Sequence, residues 1–276
     1  GRALLRSELA AGQLPLLSRA GHVAETQGSM GYQLELALRQ ALQRTGAERE
    51  VATLVSLVSV DPDDPGFVQP SKPIGPYYSR QRAQALEQRL GWRLAEDPDG
   101  RGWRRLVASP RPLELINERL LVRLVQEGVA VIAAGGGGIS VVGTGEGWRP
   151  VDGVIDKDRT AMLIGAAVAA DLWVSLTAVD SVYLEYGSEK QQRIERMSTT
   201  QARVYLEQGQ FGSGSMGPKV ESAIRFAEAT GGTSLVTSVD RLPAAMEGTA
   251  GTLIEPVESL ARISQRLAAA RAQGPR

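Results

Sequence analysis

The sequence predicts an α/β protein with a mostly parallel sheet and helices on both of its faces. Three observations carry this expectation. Residues 129–134 (VAVIAA) are apolar without alternation, the pattern of a central parallel strand covered on both sides. They run straight into Gly135, Gly136, Gly137 and Gly138, which strip the following turn of every Cβ. Elsewhere single strands alternate with helical patterns, and that order builds parallel sheets through crossover connections.

The bulk properties narrow the classes. A chain of 276 residues allows one large α/β domain or two small ones, with a sizeable core. Lys plus Arg and Asp plus Glu both number 31, so the net charge is zero and nucleic acid is not expected as a partner. No cysteine is present, which excludes disulfides and thiolate metal sites, and the single His22 argues against multi-histidine zinc and Ser-His catalysis. No apolar run reaches about 18 residues and no signal peptide is visible, so a cytoplasmic protein without a membrane partner is expected. The chain opens at Gly1 in the middle of a helical pattern, and reads as a fragment or processed chain.

Taken in order, residues 2–11 place Leu4, Leu5 and Leu9 on one helical face before Gly12. The stretch 25–32 (ETQGSMGY) leads into a helix over 32–44, with Leu34, Leu38 and Leu42 at four-residue spacing; His22 falls in a loop. Residues 51–60 (VATLVSLVSV) read as one strand. Residues 61–79 hold five prolines, which forbid a regular helix or a central strand and stiffen a loop that presents Lys72. Asp61, Asp63 and Asp64 stand beside Pro62 and Pro65, a setting for turn capping rather than metal binding. A charged helix over 80–90 follows, then a hairpin over 92–107 around Asp97–Gly100 (DPDG). Residues 109–112 turn, residues 113–127 read as an amphipathic helix, and residues 143–148 turn again. Asp156 and Asp158 open an Ala- and Gly-rich helix over 161–169, where either can act as a cap. A strand over 171–176 ends in Thr177-Ala-Val-Asp180, at the carboxyl edge where open α/β sheets bind ligands. Helices over 198–208 and 220–229, a strand over 234–238, a helix over 242–247 and a short strand over 251–255 complete the sheet. The tail over 257–276 is helical and carries four arginines.

Two glycine-rich turns, 135–138 and 212–219 (GSGSMGPK), point to phosphate handling. The familiar templates are absent: Lys219 is followed by Val220, so there is no Walker A loop, and no Rossmann G-x-G-x-x-G or protein-kinase motif occurs. What remains is two glycine turns with Lys72, Lys219 and Asp158. Each of these three, taken alone, reads as a surface charge or a helix cap. Phosphoryl transfer needs little more than such a set, because its catalysis is positioning plus neutralisation of charge.

The motifs together resemble the carbamate kinase family, within the amino acid kinase family. They are AGGGGI, V-I-D-K-D, T-x-V-D-x-V-Y-L, G-S-M-G-P-K-V-E-x-A-I-R-F and, most specifically, D-P-D-D-P-x-F-x-x-P-S-K-P-I-G-P-Y-Y. E-T-Q-G at 25–28 and R-L-V-A-S-P at 105–110 fit as well. The resemblance covers residues 1–256 and excludes the tail. It implies a three-layer αβα sandwich with a small protruding lid over about residues 61–106. It implies reversible phosphoryl transfer between MgATP and carbamate, giving MgADP and carbamoyl phosphate, in a cytoplasmic homodimer that serves arginine metabolism. By the resemblance Lys72 reaches from the lid to the phosphoryl group, Lys219 bridges the ATP phosphates and that group, and Asp158 orients the lysines. The amides of Gly135, Gly136, Gly137 and Gly138 line the site, and Thr177, Asp180, Tyr183, Met216 and Gly217 hold the nucleotide. No protein residue is expected to ligate a metal by itself.

The departures are specific. The family's G-G-N-A and H-G-N-G-P-Q-V-G turns are absent, and Gly1 matches the last glycine of the second. The chain is therefore expected to be N-terminally truncated, nearly inactive alone, and to show an unpaired strand edge beside Gly135–Gly138. Ala178 replaces the usual Asp of T-D-V-D, Ser140 the usual proline and Arg159 the usual leucine. Two alternatives stay open: a non-catalytic nucleotide-binding paralogue, and another amino acid kinase acting on a carboxylate.

Overall fold

A computed structural model describes residues 17–97, 100–212 and 216–257. Its contacts fall into two compact units, Gly1–Val168 and Ala169–Arg276. The helix expected over 2–11 and the helical tail lie outside the described residues, as do parts of the 97–100 turn and of the second glycine-rich turn.

In the first unit, helix α1 runs from Arg19 to Thr45, capped by Ser18, whose side chain accepts from the Gly21 amide, and closed by Gly46 at φ 67°. It begins well before the expected residue 32 and takes in Glu25–Gly28. His22, expected in a loop, is a buried helical residue whose Nδ1 lies 3.1 Å from Glu25 Oε2. Packing accounts for the longer helix: Gln27 and Gly31 are buried, and a Cβ on Gly31 would run into the Thr53 side chain. That burial outweighs the roughly 1 kcal/mol by which each helical glycine disfavours the helix. Leu34, the first of the three leucines spaced by four, is exposed.

The single strand expected over 51–60 is two, β1 (Val51–Leu54) and β2 (Leu57–Val60), which enter different sheets. β1 pairs in parallel with β7 (Ala130–Ala133). β2 is central in a four-stranded sheet. It is parallel to β8 (Ile139–Thr144) and antiparallel to β6 (Pro112–Leu115), and β8 continues into β9 (Gly147–Pro150). Residues 113–115 were expected in a helix. Prolines at 110 and 112 favour extended backbone around them, and Leu115 pairs with Val58, so the helix α4 starts only at Glu118. β7 is half-buried along its length rather than covered on both faces, and β1 is its one partner among the described residues. Val58, Val60, Leu115, Leu121, Val142 and Ile155 form the core of this part.

The proline-rich stretch folds as the short helix α2 (Pro65–Val68), capped by Asp64, and the strand β3 (Lys72–Tyr78). The aspartates cap turns as expected: Asp61 accepts from the Asp63 amide and Asp64 from the Gly66 amide. β3 is an edge of a three-stranded antiparallel sheet with β5 (Trp103–Val107) and β4 (Arg93–Glu96), the position where Pro73 and Pro76 cost no ladder bond. Helix α3 (Arg80–Leu90) gives this excursion its own small core of Ala83, Leu86, Trp92 and Leu94. The Arg105 guanidinium sits 4.1 Å from the centroid of the Trp92 ring. Helix α5 (Lys157–Ala167) ends the unit.

In the second unit β10 (Leu172–Thr177) is parallel to β14 (Thr233–Ser238), which is antiparallel to β15 (Thr252–Glu255). β13 (Arg196–Ser198) joins in parallel on the far side of β15, and β11 (Val182–Leu184) with β12 (Gln192–Ile194) makes a small hairpin. Helix α6 (Thr199–Glu207) opens on a reciprocal Ser198–Gln201 capping box. Helix α7 (Met216–Thr230) buries eight residues, Lys219 among them, and α8 (Leu242–Met246) follows β14. The α/β class predicted from the sequence is the class observed.

Candidate active site

Lys72 is the first residue of β3. Its Nζ donates to Asp156 Oδ2 at 2.9 Å and to the Ile155 carbonyl at 3.2 Å. Asp156 is also the N-cap of α5, its Oδ1 accepting from the Asp158 amide at 2.9 Å and the Arg159 amide at 3.4 Å. One carboxylate therefore ties the three-stranded sheet to a helix start. The two side chains are 23% and 22% exposed, so the pair is stronger than a fully solvated one. Burial alone would push the Asp156 carboxyl up. The charge and hydrogen bond of Lys72, the Asp158 amide and the nearby Lys157 outweigh it and hold the carboxyl below the ordinary aspartate range.

The glycine turn lies against the same place. Ala134 and Gly135 take φ of 64° and 57° and Gly138 takes 83°. A Cβ on Gly137 would strike the Ile155 carbonyl, the group that accepts from Lys72, and Thr160 Oγ1 donates to the Gly137 carbonyl at 2.9 Å. Of the four amides expected to line a site, three bond inside the turn: Gly135 to the Ala133 carbonyl, and Gly136 and Gly138 to that of Ala134. The Gly137 N–H is left without a hydrogen-bond partner among the described residues, although Gly137 is buried. A buried amide in that state is worth roughly 1–3 kcal/mol to whatever accepts from it.

In the D-K-D turn Asp158, expected to orient the lysines, is buried and accepts from Lys157 Nζ at 3.0 Å, and Asp156 pairs with Lys72. Sequence reading passed over Lys157 and saw Asp156 only as a possible cap. The signal was present in an N-cap carboxylate with a spare oxygen, which is a ready partner for a cation.

In the second unit Lys219 sits in the first turn of α7, 5% exposed, with no acidic residue in that turn. Met216 and Gly217 head the same helix, whose N-terminal dipole favours anions. Thr177 ends β10, paired with Ser238 of β14. Beyond it an open pocket of ≈ 480 Å³ is lined by Ala178, Asp180, Tyr183, Tyr186, Asp240 and Arg241, among others. Tyr183 donates to Asp180 Oδ1 at 2.7 Å, and its ring lies 5.8 Å from that of Tyr186. That hydrogen bond, then burial and the Asp180 charge, push the Tyr183 phenol up, so it stays protonated and donating. Of the five expected nucleotide residues, Asp180 and Tyr183 line this pocket; Thr177, Met216 and Gly217 are not among its lining residues. Tyr186, Asp240 and Arg241 had not been singled out. They come from β-turn and 3₁₀ segments that carry no periodicity.

No group of three His, Asp or Glu side chains among the described residues could hold a metal ion, and no helix among them is long and apolar enough to cross a membrane. The amino acid kinase family model matches residues 73–238. A carbamate kinase of Staphylococcus epidermidis is 43% identical over 233 residues, 84% of this chain and 75% of the relative. One of Pyrococcus furiosus is 40% identical over 233 residues, 84% of this chain and 74% of the relative. The solved carbamate kinase of Giardia lamblia bound to citric acid matches with a TM-score of 0.87 at 34% identity, covering 93% of this chain and 81% of that one. The same Giardia enzyme bound to AMP-PNP matches with a TM-score of 0.82. The chain belongs to the amino acid kinase family and, within it, to the carbamate kinases.

Proposed function

We propose that the protein catalyses reversible phosphoryl transfer between MgATP and carbamate, giving MgADP and carbamoyl phosphate. One observation carries the reading beyond family membership. The Lys72 ammonium donates to the Ile155 carbonyl before the start of α5, and Gly137, whose N–H has no partner among the described residues, packs against that same carbonyl. A cation and a free amide at one point suit a phosphoryl or carbamoyl oxygen, and phosphoryl transfer asks mainly for such positioned charge. Lys72 leaves Asp156 to meet the phosphoryl group, and Asp156 receives it again when product departs. Lys157 adds a second cation at the same helix start, paired with Asp158.

The nucleotide reading rests on the second unit. The tilted Tyr183–Tyr186 pair offers a face for a base, Asp180 an acceptor for ribose hydroxyls, and Arg241 a cation, in a pocket of ≈ 480 Å³. Lys219, with Met216 and Gly217 at the head of α7, neutralises charge on the nucleotide phosphates. With no cluster of carboxylates or histidines to hold it among the described residues, Mg²⁺ is read as arriving on the nucleotide phosphates as part of the substrate. The family relationship also supports a cytoplasmic homodimer placed in arginine metabolism.

The test is ATP formation by the full-length protein from ADP with carbamoyl phosphate, beside acetyl phosphate and N-acetylglutamyl phosphate as competing donors. Carbamoyl phosphate is expected to be used at least about 100-fold better, since a site that hydrogen-bonds an N–H group discriminates against analogues lacking it. Nucleotide binding without turnover, or preference for a carboxylate-derived donor, overturns the reading.

A further inference from the structure

We propose that Gln27 is a positioning residue for the glycine turn, acting through Ser56. The inference deepens the proposed function and rests on it. Gln27 is 2% exposed and lies in the N-terminal third of α1, and both ends of its amide are used on one residue. Its Oε1 accepts from the Ser56 N–H at 2.7 Å, and its Nε2 donates to the Ser56 carbonyl at 3.2 Å. This is the bonding a neighbouring strand would supply. It serves the break between β1 and β2, where the chain leaves one sheet for another.

Ser56 in turn holds both feet of the turn. Its Oγ accepts from the Ala134 amide at 3.0 Å and donates to the Leu54 carbonyl at 3.1 Å. Its carbonyl accepts from the Ile139 amide at 2.9 Å. Ala134 and Ile139 are the residues on either side of Gly135–Gly138. Gln27 also packs on the turn directly: a Cβ on Gly135 would lie 2.7 Å from Gln27 Cγ. The direction of the one unpartnered amide, Gly137 N–H, is thus set from α1 through two residues that need not touch substrate. A buried amide side chain satisfied at both ends is a rigid support, and rigid support is what an anion-facing turn requires. A misplacement of about 1 Å at such a turn is worth about 100-fold in rate.

The test uses Gln27→Met, which keeps chain length and loses both hydrogen bonds, and Ser56→Ala, which frees only the Ala134 foot. Three readouts are taken on the full-length protein. Amide hydrogen exchange at Ala134 and Ile139 is expected to rise at least about tenfold in Gln27→Met, with exchange in α7 and β14 unchanged. In steady-state assays kcat/KM for carbamoyl phosphate falls about 10- to 100-fold while KM for ADP stays within about twofold. The Gly137 amide resonance shifts on titration with inorganic phosphate in the wild type, and that shift is lost in the variant. Ser56→Ala raises exchange at Ala134 alone and lowers kcat/KM more weakly, and carries the test if Gln27→Met does not fold. Unchanged exchange at Ala134 and Ile139 overturns the proposal, as does an equal loss towards both substrates or a phosphate response that survives in both variants. If the wild type makes no ATP from carbamoyl phosphate, the proposed function fails separately, and the exchange and phosphate titration still decide the role of Gln27.

Discussion

Gly137→Ala places one methyl group where the structure has no room for it. Gly137 does not occupy the left-handed region, so alanine is not strained by its backbone angles. The obstacle is Ile155: the new Cβ would overlap its carbonyl oxygen, lie 2.6 Å from its carbonyl carbon and 3.0 Å from its Cβ. Ordinary contact begins at 3.4 Å and the carbonyl oxygen is the nearest atom, so the two backbones must part by about 1.2 Å. Both are tied, Gly137 through Thr160 and Ile155 through Lys72, so the strain is retained rather than relaxed. Overpacking of this kind costs about 1–3 kcal/mol, or about 2–10 °C in Tm for a protein of this size. The same displacement moves the carbonyl that helps hold Lys72, so kcat/KM for carbamoyl phosphate falls about 100-fold. Gly136→Ala is the control. Gly136 is exposed, a Cβ there meets nothing within 4 Å, and the change alters stability by less than about 0.5 kcal/mol. Thermal melts and coupled ATP-forming rates on both variants decide the matter. Matching behaviour of Gly137→Ala and Gly136→Ala refutes the placement of the turn against Ile155.

Three further outcomes are expected. Lys72→Met lowers kcat by about 100-fold in the coupled assay, yet lowers Tm by less than about 5 °C, because Asp156 keeps its bonds to the Asp158 and Arg159 amides. Asp156→Asn alters acid stability with a definite sign. The folded carboxyl lies below its ordinary value of 3.8, so its contribution is complete above that value and is lost as pH falls through the lower folded one. The wild-type advantage in urea midpoint over Asp156→Asn should shrink below about pH 4, and an advantage constant with pH contradicts the ion pair. Tyr183→Phe removes the 2.7 Å bond to Asp180 and weakens ADP binding by about three- to tenfold, measured by calorimetry, with kcat nearly unchanged. The phenol is pushed up, so wild-type ADP affinity should also stay flat through about pH 9.5.

The sequence revealed most where local chemistry and tertiary context agree. Arg80–Leu90 reads as a helix and folds as one, bounded by Ser79 and Gly91. Pro73 and Pro76 forbid a central strand, and β3 is an edge. Legibility failed where packing overrides propensity. Gly28 and Gly31 argue against a helix before residue 32, but Gly31 is what lets α1 approach Thr53. A continuous apolar run hides the break at Ser56, because both halves are strands and only their sheet partners differ. In the site, Lys72 and the glycine turn were visible as motifs. Their meeting through Ile155 and Asp156 was not, since main-chain carbonyls carry no sequence signature. Gln27 was visible only as a letter in E-T-Q-G, because its role depends on Ser56, whose own signal is that of any strand serine.

The central claim is that this chain moves a phosphoryl group by positioned charge, with Lys219 acting on the charge that develops during transfer. The direct measurement pairs kcat for ATP formation from carbamoyl phosphate and ADP with the ADP dissociation constant, in the full-length wild type and in Lys219→Ala. A lysine that acts mainly in the transition state contributes about 3 kcal/mol or more there, so kcat should fall at least about 100-fold while ADP affinity changes by less than about fivefold. Equal losses in turnover and ADP binding, or a wild type that binds ADP without forming ATP, would contradict the account.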